Sequence, residues 1–595
     1  MTVDAWITLA VVLGTLALLA RGKTGPAMII CGAVILLLGL GVVSPSEALS
    51  GFSNPAPFTV AALFVVARAV EKTGGLQPLL GALLGRRTRG AADKPLRWSL
   101  ARLLGPVAAA SAFLNNTPIV AMVSPQVEAW AERRKKSPSC YLMPLSFASI
   151  LGGVVTVIGT STTIVVSGLL ESHGMPAIGM FEISRIGLPL ALAGILFLIL
   201  FSPLLLPNRR GSLREFEEEY REYTVNMVVT PGGPFDGKTV GEGQLMHLEG
   251  VFLAEVRRGD EIIAPASPQT HLQGGDLLTF AARSDMVLDL KKIRGLASAE
   301  AEHTLEVKEP GHTYFEVVVG ADSPLAGRSL SGIGFRQEYR AVVLALHRSG
   351  ERYRGKLAQV RLRAGDTLIL LAGPRFRTLW RHRRDFLLIS HLGGSPPTST
   401  KEATLVAAVL VGIVSLAASG VLPVLQGSLL GAFLLVAARV MTPRETMEAV
   451  DLGVVFLIAG AFGIGAAIEG TGLASTLSEG VMTLAGGFGV TGALAGVLIT
   501  TIILTEIITN NAAAVLVFPI AVATAGSLGV DPRPFAVAIA VGASASFLTP
   551  IGYQTNTMVY GPGGYRFGDY ARLGFPLTLL VVVLVLWLVP RTWGF

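Results

Sequence analysis

In two widely separated apolar stretches the same polar interruption occurs. Asn115-Asn116-Thr117 is followed by Pro125, and Thr509-Asn510-Asn511 by Pro519, the proline falling ten positions after the first polar residue in both. A second break follows each. Thr156-Val157-Ile158-Gly159-Thr160-Ser161-Thr162-Thr163 answers Thr549-Pro550-Ile551-Gly552-Tyr553-Gln554-Thr555-Asn556, in the same order relative to the first break. Two matching breaks per half point to an internal repeat. Polar, helix-interrupting segments at corresponding places in two halves of a membrane protein mark the binding site of a transporter.

The surrounding composition requires a membrane. Of 595 residues 51% are hydrophobic and 15% charged, against about a quarter charged in soluble proteins. A hydrocarbon core of about 30 Å takes roughly 20 apolar residues per helix. Spans are expected near 4–20, 27–44, 55–72, 141–170, 184–206, 402–420, 423–441, 451–469, 532–560 and 572–592, five in each half. The stretches 99–130 and 490–527 carry the Asn/Thr triplets at their centres. Each half of such a stretch reads as too short to cross, which predicts re-entrant hairpins, allowed only where protein or an aqueous cavity covers the broken backbone.

An odd number of spans per half means that the second half enters from the opposite side, so the repeats are inverted. Charge agrees. Arg21/Lys23, Arg86/Arg87/Arg89/Lys94/Arg97, Arg133/Arg134/Lys135/Lys136, Arg209/Arg210, Arg439/Arg444 and Arg566/Arg572 fall on one side, which the positive-inside rule makes cytoplasmic. The loops 171–183, 470–489 and 528–533 carry one Arg and no Lys, and both termini then face outward. The net charge of +7 is this topological bias, not a nucleic-acid surface. The start Met1-Thr2-Val3-Asp4 lacks the basic region of a removable leader. Cys31 and Cys140 give no disulfide framework.

Between the halves, 1–208 and 400–595, the character turns water-soluble. A charged, helix-like linker at 209–223 (Leu213 to Tyr220) leads into two copies of one pattern, 224–296 and 313–390. In the first, the strand Val251–Val256, the turn Arg258-Gly259-Asp260 and a return at Gly275-Asp276-Leu277 follow one another. In the second, the strand Ala341–Leu346, the turn Ser349-Gly350-Glu351 and the return Gly365-Asp366-Thr367 do the same. Gly-Asp before a β-rich run is a turn signal, since glycine supplies positive φ and aspartate bonds its own backbone. The pattern resembles the C-terminal ligand-binding subdomain of bacterial potassium-transport regulators, the TrkA C-terminal type. That resemblance implies dimerisation and, for some members, a nucleotide-like regulatory ligand such as cyclic di-AMP. No strand–Gly-x-Gly-x-x-Gly–helix unit precedes either copy, so a dinucleotide crevice is not indicated, nor any organic cofactor. The alternative is a spacer that only joins protomers.

At a hairpin tip the second arm begins with unsatisfied N–H groups and a positive dipole end, a site for an anion. Carbonyls freed by the breaks, with Asn and Thr oxygens, suit a small hard cation such as Na⁺. Two tips facing two unwound loops would make one anion site flanked by two cation sites, which is symport geometry. Glu506, three residues before Thr509, is an intramembrane carboxylate and a candidate coupling group, or one that bonds loosened backbone. Asp451 reads as a helix cap and Glu469 as an interface residue, while His173 and the other histidines fit surface positions.

With these motifs the chain resembles the divalent anion:sodium symporter family, within the ion-transporter superfamily, over both membrane halves. The family's Ser-Asn-Thr triplet appears as Asn115-Asn116-Thr117 and Thr509-Asn510-Asn511; Thr163 stands where the pattern Gly-Thr-Ser-Thr is usually followed by Asn. The resemblance implies an α-helical polytopic homodimer of two inverted repeats, each with five spans and one re-entrant hairpin, moving by an elevator mechanism. It implies substrate contacts from Asn115, Asn116, Thr117, Thr162, Thr509, Asn510, Asn511 and Thr555. One Na⁺ site would take Asn116, Gly159, Thr160 and Ser161, the other Asn510, Gly552, Gln554 and Asn556. Members carrying the tandem insert resemble sulfate transporters of algae and cyanobacteria, so sulfate is the expected dianion and C4-dicarboxylate its rival. The expected setting is the inner membrane of a prokaryote, with the insert cytoplasmic.

Other classes fit less well. No nucleophile elbow, P-loop or metal-ligand cluster lies in the spans, so an enzyme is not indicated. A cation/proton antiporter would rely on Glu506. A ligand-gated channel lacks a Thr-Val-Gly-Tyr-Gly filter, and a sensor that no longer transports would not need polar breaks in both halves.

Overall fold

The computed structural model describes the chain apart from residues 22–23, 75–95, 135, 209–223, 246–250, 260, 264–265, 283–292, 294, 299–312, 321–322, 349–350, 354–356, 374–375, 381–384, 392–399 and 595. The charged linker at 213–220 and several of the basic residues used for topology lie outside the described residues. Two units emerge: Met1–Arg209 with Ser395–Tyr560 and Tyr565–Phe595, and Arg210–Gly394 with Gly561–Gly564.

The first unit is helical. Its N-terminal half runs α1 (Val3–Arg21), α2 (Pro26–Gly39), α3 (Pro55–Thr73), α4 (Leu96–Ser111), α5 (Asn116–Arg133), α6 (Ser139–Gly153), α7 (Ser161–Ser172) and α8 (Ser184–Leu205). Its C-terminal half runs α9 (Thr400–Ala418), α10 (Val424–Ala437), α11 (Leu452–Gly470), α12 (Leu473–Ala485), α13 (Gly489–Ile507), α14 (Asn510–Leu528), α15 (Arg533–Ser544), α16 (Gln554–Tyr560) and α17 (Phe567–Trp593). Among the described residues each C-terminal element other than α12 has a counterpart in the same order, and the place corresponding to α12 lies at 75–95, outside the described residues.

Local chemistry repeats with the order. After α2 and α10 the chain makes a short helix opened by a capping box, Ser44 with Glu47 and Thr442 with Glu445, in which each hydroxyl accepts the glutamate N–H and each glutamate accepts the cap N–H. The next helices are capped by Asn54, accepting Ala56 N–H at 2.9 Å, and by Asp451, accepting Gly453 N–H at 2.9 Å, the role read for Asp451 from sequence. The halves interdigitate. Helix α2 packs on α11 and α10 on α3; α7 packs on α14 and α16 on α5. The last helix of each half lies against the other break of its own half through a glycine, Gly187 on the Val154 carbonyl and Gly574 on the Phe547 carbonyl, where any Cβ would overlap the oxygen.

Seven described helices are long and apolar enough to cross a membrane: α1, α8, α9, α11, α13, α14 and α17; α2, α6, α10 and α15 are apolar but shorter. Three expectations change. Both arms of the second hairpin, α13 and α14, are 19 residues and apolar enough to cross, because the polar break occupies only the junction between them and leaves each apolar run whole. The stretches 141–170 and 532–560 are not single spans but helix pairs, α6 with α7 and α15 with α16, parted at the second breaks. The segment 470–489, expected as a loop, contains α12, whose Leu473, Ala474 and Ser478 are buried on one face, the other being exposed at Glu479 and Gly480.

The second unit holds two five-stranded antiparallel sheets. One is β1 (Thr224–Val229), β2 (Val251–Arg258), β3 (Glu261–Ile263), β4 (Leu277–Ala282) and β5 (Leu296–Ser298), in the order β3-β2-β4-β1-β5. The other is β6 (Thr313–Val319), β7 (Ala341–Arg348), β8 (Glu351–Arg352), β9 (Thr367–Ala372) and β10 (Phe386–His391), in the order β10-β6-β9-β7-β8, which is the same topology read from the other edge. Each long strand has its register shift at the matching place, Leu253/Glu255 and Val343/Ala345. The Gly-Asp turns form as their chemistry requires: Gly275 and Gly365 have φ of 94° and 84°, and Asp276 and Asp366 accept the N–H of Gln273 and Arg363, each at 2.8 Å. Both aspartates are also gripped by an arginine at a turn, Arg258 Nε and Arg348 Nε donating at 2.8 Å to Asp276 and Asp366. The cores are Met227, Val229, Val256 and Phe280 in one sheet and Phe315, Val317, Leu346 and Leu370 in the other.

Candidate functional site

Each hairpin tip is braced from behind by a hydroxyl five residues earlier. Ser111 Oγ donates to Asn116 Oδ1 at 2.5 Å, and Thr505 Oγ1 donates to Asn510 Oδ1 at 3.1 Å. Neither hydroxyl was singled out in the sequence, although the repeated offset of five was available to find them. Asn116 is fully buried, Asn510 partly open. At the glycine of each second break the backbone approaches its hairpin closely: a Cβ on Gly159 would overlap the Gly153 carbonyl and lie 2.9 Å from the Ser111 carbonyl of the hairpin, and one on Gly552 would overlap the Ser546 hydroxyl and lie 2.9 Å from Glu506 Oε2 of the hairpin.

The tips then cross to the opposite half. Thr117 Oγ1 of the first hairpin donates to Gln554 Oε1 of the second unwound loop at 3.2 Å, and Ser161 Oγ of the first loop donates to Asn511 Oδ1 of the second hairpin at 3.2 Å. Ser161 and Gln554 hold equivalent places after Gly159 and Gly552, as Thr117 and Asn511 do in the triplets. The two bonds are therefore mates under the repeat, each tying the tip of one half to the unwound loop of the other. Asn115 and Ser161 also line a small cavity of about 20 Å³ whose other walls are apolar, among them Val60, Phe64, Phe113 and Ile158.

The remaining expected residues sit deeper. Thr160 caps α7, accepting Thr162 N–H at 3.4 Å. Thr555 Oγ1 lies 2.9 Å from Ser146 Oγ, two hydroxyls that share a hydrogen bond. Asn556 accepts Ser146 Oγ at 2.7 Å and donates to the carbonyls of Ser546 at 2.9 Å and Thr549 at 3.3 Å, so its amide ties down the second loop. Thr163, its counterpart, is fully buried, and among the described residues its hydroxyl and the buried hydroxyl of Thr509 at the start of α14 meet no partner within bonding distance. Buried hydroxyls without partners are rare enough to need a reason.

Glu506 accepts the N–H of Leu548 at 2.8 Å, the N–H of Thr549 at 3.0 Å and the Thr549 hydroxyl at 2.8 Å. It is the carboxylate that bonds loosened backbone. The first half has Ala112 in this place, whose carbonyl accepts the Thr156 hydroxyl. Tyr553, between Gly552 and Gln554, was not expected at the site; its hydroxyl accepts Asn116 Nδ2 at 2.7 Å.

His173 departs from the surface position expected for it. Its Nε2 meets Glu469 Oε1 at 2.5 Å, Nδ1 lies 2.8 Å from the Leu169 carbonyl, and its ring packs edge-on against Phe518. The bond to Glu469 lifts the imidazole above its ordinary value, burial opposing this. Among the described residues no group of three or more His, Cys, Asp or Glu is placed to hold a metal ion.

The profile of a family described as "Citrate transporter" matches residues 15–542. The chain belongs to this family. Its members are transporters rather than enzymes, and this chain is a multi-pass membrane transporter of the divalent-anion symporter type. Among similar proteins, a "Putative sulfur deprivation response regulator" of Chlamydomonas reinhardtii is 34% identical over 589 residues, covering 96% of this chain and 100% of the relative. An uncharacterized transporter of Synechocystis is 34% identical over 572 residues, 94% of this chain and 92% of the relative. "Sodium/sulfate cotransporter 1" of Chlamydomonas reinhardtii is 24% identical over 758 residues, 91% of this chain and 84% of the relative.

Proposed function

We propose that the protein is a sodium-coupled symporter that imports a small divalent anion, sulfate first, through one site built jointly by the two hairpin tips and the two unwound loops. The crossed pair Thr117–Gln554 and Ser161–Asn511 carries this reading. A ligand that contacts all four segments is enclosed by both halves, as alternating access around a fixed central site requires. The start of α14 offers backbone N–H groups and the unpartnered Thr509 hydroxyl to an anion. Na⁺ would take oxygens from Asn116, Gly159, Thr160 and Ser161 on one side and from Asn510, Gly552 and Gln554 on the other, with Asn556 and Glu506 holding the second loop in shape.

The repeated order of elements and the paired swaps of α2 with α11 and α10 with α3 support two inverted repeats, moving as an elevator in a homodimer. Within that arrangement α13 and α14 would still turn back at the Thr509-Asn510-Asn511 break, because a polar tip in lipid needs covering protein. The shared topology of the two sheets supports tandem modules of the TrkA C-terminal type, cytoplasmic, dimerising or binding a nucleotide-like regulator. The Synechocystis relative supports a prokaryotic inner membrane, and the sodium/sulfate cotransporter supports both ion and substrate.

A C4-dicarboxylate or a larger carboxylate is the second reading, favoured by the family description as a citrate transporter. Uptake of labelled sulfate into proteoliposomes with an inward Na⁺ gradient, with unlabelled sulfate or succinate as competitor, separates the two. Gradient-driven uptake blocked by sulfate alone supports the first; sulfate-insensitive, Na⁺-driven succinate uptake replaces it with the second. Na⁺/H⁺ exchange without anion uptake would overturn both.

A further inference from the structure

Tyr553 stands where the first half has Thr160, each directly after the glycine of its break. Exchanging a short hydroxyl for a phenol changes what the residue reaches. Tyr553 is buried, and its hydroxyl crosses 437 positions of sequence to accept Asn116 Nδ2 at 2.7 Å. On its other side Asn116 accepts Ser111 Oγ at 2.5 Å.

A carboxamide presents oxygen at one end and two N–H donors at the other, and the ends differ in what they can bind. In the structure the nitrogen of Asn116 faces the phenol and its oxygen faces Ser111, with the second lone pair of that oxygen left over. Turned around, the amide would set N–H groups toward the hydroxyl of Ser111 and offer a cation its wrong end. The counterpart Asn510 has the matching brace from Thr505 at 3.1 Å. Among the described residues its nitrogen makes no bond to Thr160, so the second-half site lacks this clamp.

We propose that Tyr553 is a positioning residue that fixes the Asn116 carboxamide for cation binding at the first-half site, making that site dependent on the loop of the second half. The inference rests on the transport reading above. Closing the second loop orders Asn116, whereas closing the first loop does nothing comparable for Asn510, and the two cation sites are unequal for this reason.

The test is Tyr553→Phe in proteoliposomes, measuring uptake of whichever labelled anion the wild type carries across a Na⁺ titration, with the melting temperature of the purified protein alongside. Losing the acceptor of a buried donor raises the Na⁺ concentration for half-maximal uptake by about tenfold, with the rate at saturating Na⁺ changed by less than about twofold. Ser111→Ala, which removes the other clamp, shifts the titration in the same direction. A role in folding alone would lower the maximal rate and the melting temperature and leave the half-saturating Na⁺ unmoved; that result overturns the proposal. A Na⁺-driven wild type with an unshifted Tyr553→Phe defeats this inference and spares the transport reading. A wild type with no Na⁺-dependent uptake of sulfate, succinate or citrate defeats both.

Discussion

Replacing Glu506 by glutamine changes one atom and should disable the second unwound loop. The carboxylate accepts three hydrogen bonds, from Leu548 N–H, Thr549 N–H and the Thr549 hydroxyl, on both of its oxygens. A carboxamide has a single acceptor oxygen, so its NH₂ must face at least one backbone N–H. That leaves a buried donor unsatisfied, at about 1–3 kcal/mol, or roughly 5- to 150-fold in the population of the ordered loop. Glu506→Ala loses every acceptor and costs about twice as much. Hydrogen exchange over 546–552 in lipid nanodiscs reads the loop, and Na⁺-driven uptake reads its consequence. The expected outcome for Glu506→Gln is faster exchange confined to this segment together with uptake reduced by at least about fivefold. Wild-type exchange with lost uptake would refute the loop-holding role and assign the carboxylate to ion coupling; wild-type behaviour in both would refute the reasoning altogether.

Three further outcomes follow from the structure. Because His173 is held above its ordinary value by Glu469, the pair stabilises fully below about pH 6.5, and that contribution is lost as pH rises through the raised value; the melting temperature should fall from pH 5.5 to 8.5 more in the wild type than in His173→Gln. Gly574→Ala forces a methyl against the Phe547 carbonyl and should cost about 1–3 kcal/mol of stability, lowering the melting temperature and uptake together. Asp276→Asn and Asp366→Asn each weaken a two-pronged grip by arginine and should each destabilise their own sheet by about 2 kcal/mol, seen as faster limited proteolysis within the insert.

The polar breaks were legible in sequence because Asn and Thr inside an apolar run have few places to go, and their repetition is matched by the repeated order of helices among the described residues. The Gly-Asp turns of the insert were legible for a similar reason, each residue having a local conformational task that it carries out within a few positions. What crosses the molecule was not. The bonds from Tyr553 to Asn116 and from His173 to Glu469 join residues 437 and 296 positions apart, and nothing in the neighbourhood of either partner announces the other. The distance from break to apolar edge misleads for the hairpin arms α13 and α14, since a break confined to the junction leaves a predominantly apolar helix of 19 residues on either side. Glu506 could be recognised as important, yet that Leu548 and Thr549 turn their N–H groups toward it could not be read from the sequence.

The joint site is tested most directly by equilibrium binding of labelled sulfate and of labelled succinate to the purified protein, in Na⁺ and in a large organic cation, for the wild type, Asn116→Ala and Asn510→Ala. The account predicts that the wild type binds one of these anions only in Na⁺ and that either substitution abolishes binding while the protein keeps its melting profile. Full, Na⁺-dependent binding by either variant would contradict a site shared between the two halves.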